Sequence, residues 1–239
     1  RGTLLVKFHC RAWSGAGDGT LVLVGAGRGW RLPQRTPGRG RPRRGGERGA
    51  LRRNRRFLAL CCAYGAYLLA YNQLYLALPE EVERAVGTQA PLAWLFALSS
   101  LLVVTAQLPV TRWAGARLTP RRSMVTGLLL IAAGFAVVGA ARPADGTGTA
   151  ALLPAAGFVI LLTLGQMLVA PVTRAWLPDL AENGRLGLYT GALSSVSGLV
   201  VLLGSAATGT LLDSGLPPAV PWLVLAAVPA LAVGLVPRG

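Results

Sequence analysis

The stretch Phe57–Pro79, FLALCCAYGAYLLAYNQLYLALP, carries no charged residue and is long enough to cross a bilayer. A spanning helix needs about 20 mostly apolar residues, so this run reads as a membrane helix. Its tyrosines are not scattered. Tyr64, Tyr67, Tyr71 and Tyr75 recur at steps of three, four and four, which keeps them on one helix face. Asn72 and Gln73 sit among them. Such a face suits a cavity that takes amphipathic ligands by stacking and adjustable hydrogen bonds. An interfacial aromatic belt accounts for Tyr75, near the outer end, but Tyr64 and Tyr67 lie too deep for it.

Outward from this run the pattern repeats. Five more charge-free apolar runs follow: Pro91–Thr111, Ser123–Ala141, Ala150–Thr173, Leu186–Leu212 and Ala219–Pro237. The expectation is an all-α membrane protein, a six-transmembrane-helix bundle over residues 57–237. Little room is left for a water-soluble domain. The bilayer is therefore the first partner to expect.

Charge divides the chain in two. Residues 1–56 hold 14 Arg and Lys7 against Asp18 and Glu47, a net +13. The remainder has nine Arg against seven acids, a net +2. Basicity of this size invites a nucleic-acid reading, but it belongs to one flank, and no nucleic-acid partner is expected. Arginine in short loops marks the cytoplasmic side. Arg52, Arg53, Arg55 and Arg56 precede the first run, and Arg112, Arg117, Arg121 and Arg122 follow the second. The break after the first run instead carries Glu80, Glu81 and Glu83 against Arg84. The alternation predicts a multi-pass protein of the inner (plasma) membrane with both termini cytoplasmic; only the fifth break, Asp213 alone, is equivocal.

The Arg/Gly/Pro-rich segment 1–56 buries too little apolar surface to offset its chain entropy and is expected to be disordered and cytoplasmic. Within it, TLVLVGAGRGW (Thr20–Trp30) imitates a dinucleotide loop, but Trp30 stands where the third glycine belongs. A Gly/Arg RNA-binding tail would need interleaved aromatics, which this segment lacks. Two readings stand. One is a linker drawn to anionic headgroups; the other is that residues 1 to about 45 are not native sequence.

Polar groups inside the later runs are the remaining candidates, because such groups are costly in hydrocarbon and usually face a cavity or another helix. The fourth run carries Gln166, then Pro171, with Arg174 just beyond it. Pro171 frees a backbone carbonyl and permits a kink, and Arg174 reads equally as a snorkelling topology marker. In the fifth run Gly187 and Gly191 stand in GxxxG spacing, with Gly198 beyond, and read as helix-packing positions. Enzyme signatures are lacking: no HExxH, no Walker loop, no nucleophile elbow, and His9 is the only histidine. No metal, cofactor or catalytic residue is expected.

Several segments together give the chain a family likeness. AYNQLYLALP (Ala70–Pro79), SSLLVVTAQLPVTRWAGARLTPRRSMVTG (Ser99–Gly127) and GQMLVAPVTRAWLPDLAENGRLGLYTG (Gly165–Gly191) follow an Arg-rich linker at the spacing of six helices. The stretch from Asn54 to Asp213 resembles the carboxy-terminal half of a major facilitator superfamily transporter of the bacterial drug:proton antiporter type. The resemblance implies alternating access between two six-helix halves around a midplane site. It also implies proton-coupled export of small amphipathic compounds, with a missing amino-terminal half as partner. Carried over by position, Arg117, Arg121 and Arg122 match the basic positions of the family's inner-loop gating motif. Gly115 and Ala116 occupy the neighbourhood of its usual Asp, and Gln166 stands where relatives often have an acid. The alternatives are a complete six-helix carrier acting as a dimer, or a non-transporting membrane scaffold.

Overall fold

The computed structural model describes residues 54–141, 149–181, 185–217 and 219–236. The expected disorder of residues 1–56 falls almost wholly outside the described residues. Six α-helices make up the bundle: α1 Arg55–Val86, α2 Leu92–Arg117, α3 Pro120–Ala140, α4 Leu153–Leu180, α5 Leu186–Leu212 and α6 Ala219–Leu235. A short 3-10 turn, Thr149–Leu152, leads into α4. Five of the helices are long and apolar enough to cross a membrane. The sixth, α6, has 17 residues, about 25 Å at the α-helical rise.

α1, α2 and α4 overrun the charge-free segments that announced them. α1 passes through Pro79 and its acidic end to Val86. There Arg84 pairs with Glu80 and Glu81 on its own face, and Gly87, at φ 72°, closes the helix by donating to Glu83 O. The expected inner loop Arg112–Arg122 is mostly helix, which corrects that boundary. Arg112 and Arg117 lie on α2, and only Leu118 and Thr119 break the chain before α3. Thr119 accepts from the Arg122 backbone N–H, and Pro120 takes the first helical position, a place where its missing N–H costs nothing. α4 likewise runs through Pro171 and Pro178 to Leu180. Proline removes one donor and crowds the turn before it, but its fixed φ is helical, so a well-packed helix absorbs it.

The core lies where α3 meets α4 and α6, with α1 closing the other side of α4 and α6. α3 and α4 touch backbone to backbone at two glycines. A Cβ on Gly127 would lie 2.8 Å from Gly165 O, and one on Gly165 would lie 2.7 Å from Gly127 O. Further along, Phe135, Phe158 and Trp222 join α3, α4 and α6, with ring centroids 4.9 to 6.0 Å apart. Ser123 of α3 donates to Leu168 O of α4, and Ser99 of α2 meets Thr163 of α4 at 2.9 Å. In lipid, close backbone approach and such polar links hold helices together, because apolar burial against lipid tails gives little.

α2 and α5 are the least covered helices. α2 packs chiefly on α4 and α5 chiefly on α1. Their outer faces are apolar: Trp94 is 80% exposed and Val104 79%, and Leu199, Leu202 and Leu203 of α5 are exposed as well. An apolar exterior this broad belongs in a bilayer or against another membrane helix.

Candidate functional site

The α1 tyrosines form one continuous aromatic strip. Ring centroids are 5.5 Å apart for Tyr64 and Tyr67, 6.3 Å for Tyr67 and Tyr71, and 5.9 Å for Tyr71 and Tyr75. The strip continues onto α2, where Phe96 stacks on Tyr75 at 5.6 Å with rings 17° from parallel. Burial grades along it: Tyr67 is buried, Tyr64 and Tyr71 are half-buried and Tyr75 is exposed. The Tyr71 and Tyr75 hydroxyls lie 3.4 Å apart. A strip of this kind presents flat apolar faces with polar rims at the depth of the membrane interior.

The two amides beside the strip do other work. Asn72 donates to Ser205 Oγ on α5 across 2.8 Å, so it clips two helices together. Gln73 is fully enclosed; its Nε2 donates to Leu69 O one turn back, and its Oε1 has no hydrogen-bond partner. Neither amide lines the tyrosine strip. One helical step turns the side chain by about 100°, which carries Asn72 and Gln73 away from Tyr71. Gln166, one residue past the Gly127–Gly165 contact on α4, is half-buried.

The basic candidates are spread over several helix ends. Arg112 and Arg117 are exposed on the last turns of α2, and Arg121 and Arg122 are exposed on the first turn of α3. Arg174, three residues past Pro171 on α4, is exposed. Gly187, Gly191 and Gly198 make no close approach: a Cβ at each would meet nothing within 4 Å. The glycine of α5 that does pack is Gly204, against the Leu69 side chain of α1. The GxxxG spacing is present, but the bundle turns that face outward.

Three participants were not marked by spacing or motif. Phe96 extends the strip, Ser205 receives Asn72, and Trp222 donates from Nε1 to Glu81 Oε2 at 3.1 Å, tying α6 to the C-terminal end of α1. Each becomes visible only through its partner on another helix. Among the described residues no cluster of His, Cys, Asp or Glu could hold a metal ion.

A family model described as Major Facilitator Superfamily matches residues 19–238. The chain belongs to the Major Facilitator Superfamily. Membership places it among multi-pass membrane transporters, in agreement with the helical bundle and its apolar exterior. An Uncharacterized MFS-type transporter, Rv0849 of Mycobacterium tuberculosis, is 33% identical over 172 residues, 68% of this chain and 39% of that protein. Multidrug resistance protein MdtH of Cronobacter sakazakii is 26% identical over 236 residues, 95% of this chain and 55% of that protein. MdtH of Yersinia pestis is 26% identical over 226 residues. The chain thus spans about half the length of the superfamily relatives it matches. No solved structure gives a significant match.

Proposed function

We propose that this chain is the carboxy-terminal half of a twelve-helix secondary transporter that exports small amphipathic compounds in exchange for protons. The aromatic strip from Tyr64 to Phe96 carries the reading. It supplies a sequence-tolerant, stacking surface of the sort that accepts many flat ligands. The share of MdtH covered and the bare outer faces of α2 and α5 support a second half that completes the cavity. Drug export follows from the likeness to multidrug resistance proteins, and proton coupling from the resemblance to drug:proton antiporters.

Both termini face the cytoplasm in this reading, which sets the Arg112–Arg122 region and Arg174 at the inner surface as gating positions. Pro171 then lies one turn from Arg174, where a rocking helix would flex.

The test uses the full chain reconstituted in proteoliposomes with a fluorescent amphipathic cation such as ethidium. Binding is expected, and it weakens when Tyr67 and Tyr71 are replaced by Ala. Accumulation driven by a pH gradient is expected only when an amino-terminal six-helix half is co-reconstituted. Proton-driven accumulation by residues 1–239 alone would overturn the half-transporter reading. Dye binding that ignores the tyrosines would overturn the cavity.

A further inference from the structure

A groove of ≈ 270 Å³ opens where α3 begins, lined by Leu118, Arg121, Arg122, Val125 and Thr126, with Val233 of α6 as its far wall. Its chemistry is divided. Leu118, Val125 and Val233 are apolar, and the two arginines are charged and exposed. Among the described residues neither arginine enters an ion pair; the ion pairs are those of Arg84. The first turn of α3 has no acid either. The positive end of a helix dipole favours anions, so two unneutralised guanidinium groups placed there leave a local charge that no acid among the described residues pairs with.

We propose that this groove binds an anionic phospholipid, its phosphodiester on Arg121 and Arg122 and the start of an acyl chain against Val125 and Val233. Guanidinium groups take phosphate oxygens in paired hydrogen bonds, and basic pockets between membrane helices are the usual seats of such headgroups. A soluble phosphate would use the arginines and leave the apolar wall idle. A lipid uses both, because α3 enters the membrane at this point and its first turn lies at headgroup level. The proposal rests on the membrane placement of the bundle and not on what it transports.

The experiment is native mass spectrometry of the detergent-purified chain, delipidated and then offered phosphatidylglycerol or phosphatidylcholine. Wild type is expected to retain phosphatidylglycerol preferentially. R121Q/R122Q is expected to lose about tenfold in that retention. R55Q/R56Q removes two charges from the first turn of α1 and is expected to leave it within about twofold, since diffuse charge is not the cause. V125W keeps both arginines but fills the groove and is expected to lose retention as R121Q/R122Q does. Should R121Q/R122Q lose helicity by circular dichroism, V125W decides alone. Equal losses from R55Q/R56Q, or full retention by V125W, would sink the proposal. So would displacement of the lipid by millimolar inorganic phosphate that remains bound in its place.

Discussion

Asn72 on α1 donates its side-chain amide to the Ser205 hydroxyl on α5 across 2.8 Å. The link joins the helix that carries the aromatic strip to one of the two helices with the barest outer faces. Three residues earlier on α1 and one earlier on α5 the contact continues through packing: Gly204 seats the Leu69 side chain. Together they fix the rotation of α1, and therefore the direction in which Tyr67 and Tyr71 point.

Removing that link should loosen α5 from α1. Ser205→Ala is expected to cost about 0.6 kcal/mol, and at most about 1.7, the range measured for hydrogen bonds between membrane helices. Asn72→Ala should cost the same, and the double variant no more than either alone if the two groups act only on each other. Reversible unfolding in mixed micelles reads all three.

The α3–α4 crossing should tolerate no side chain. Gly165→Ala puts a methyl against Gly127 O and Ile131, and Gly127→Ala does the same against Gly165 O and Val169. Each is expected to destabilise by about 1–3 kcal/mol, the cost of overpacking a filled interior. Gly191→Ala meets open space and should be within about 0.5 kcal/mol of wild type. Thermal denaturation in detergent ranks them; a Gly191→Ala variant as damaged as Gly165→Ala would show that another surface covers α5.

Ligand affinity should follow ring faces and not hydroxyls. Tyr67→Ala and Tyr71→Ala are each expected to weaken amphipathic-cation binding by about tenfold, the scale of one aromatic contact. Tyr71→Phe keeps the ring between its Tyr67 and Tyr75 neighbours and should change binding by less than about threefold. Fluorescence titration of the reconstituted chain separates the two outcomes.

The C-terminal end of α1 should depend on Trp222. Trp222→Phe keeps the ring among Phe135 and Phe158 but leaves Glu81 without the indole donor. A hydrogen bond to a charged group contributes about 1.5–3 kcal/mol, so a loss near the lower figure is expected, Glu81 being partly open to solvent and paired with Arg84. Trp222→Leu should cost more, because it also breaks the aromatic cluster that joins α3, α4 and α6. Helical melting followed at the far-ultraviolet band would register the order.

The membrane bundle was legible from Phe57 onward because a charge-free run of bilayer length has few other uses. The same logic misplaced helix ends. The first run was ended at Pro79, yet α1 runs through it to Val86, since a proline next to a packed neighbour removes only one hydrogen bond. The tyrosine strip was legible because helical periodicity alone puts residues 64, 67, 71 and 75 in line. Asn72 and Gln73 were not, because adjacency in sequence is a turn of about 100° in space.

By itself the sequence determined that six apolar helices lie in a membrane and that four tyrosines share one face of the first. Those properties are local: length, charge and the period of a single helix decide them. Only the tertiary structure decided which glycines carry the bundle. Gly187, Gly191 and Gly198 have the motif and face open space, while Gly127, Gly165 and Gly204 meet a neighbour. It also decided that the strip ends on Phe96 and that Asn72 reaches Ser205. A motif states what a face permits; the rotation and register of the opposing helix settle whether anything stands against it.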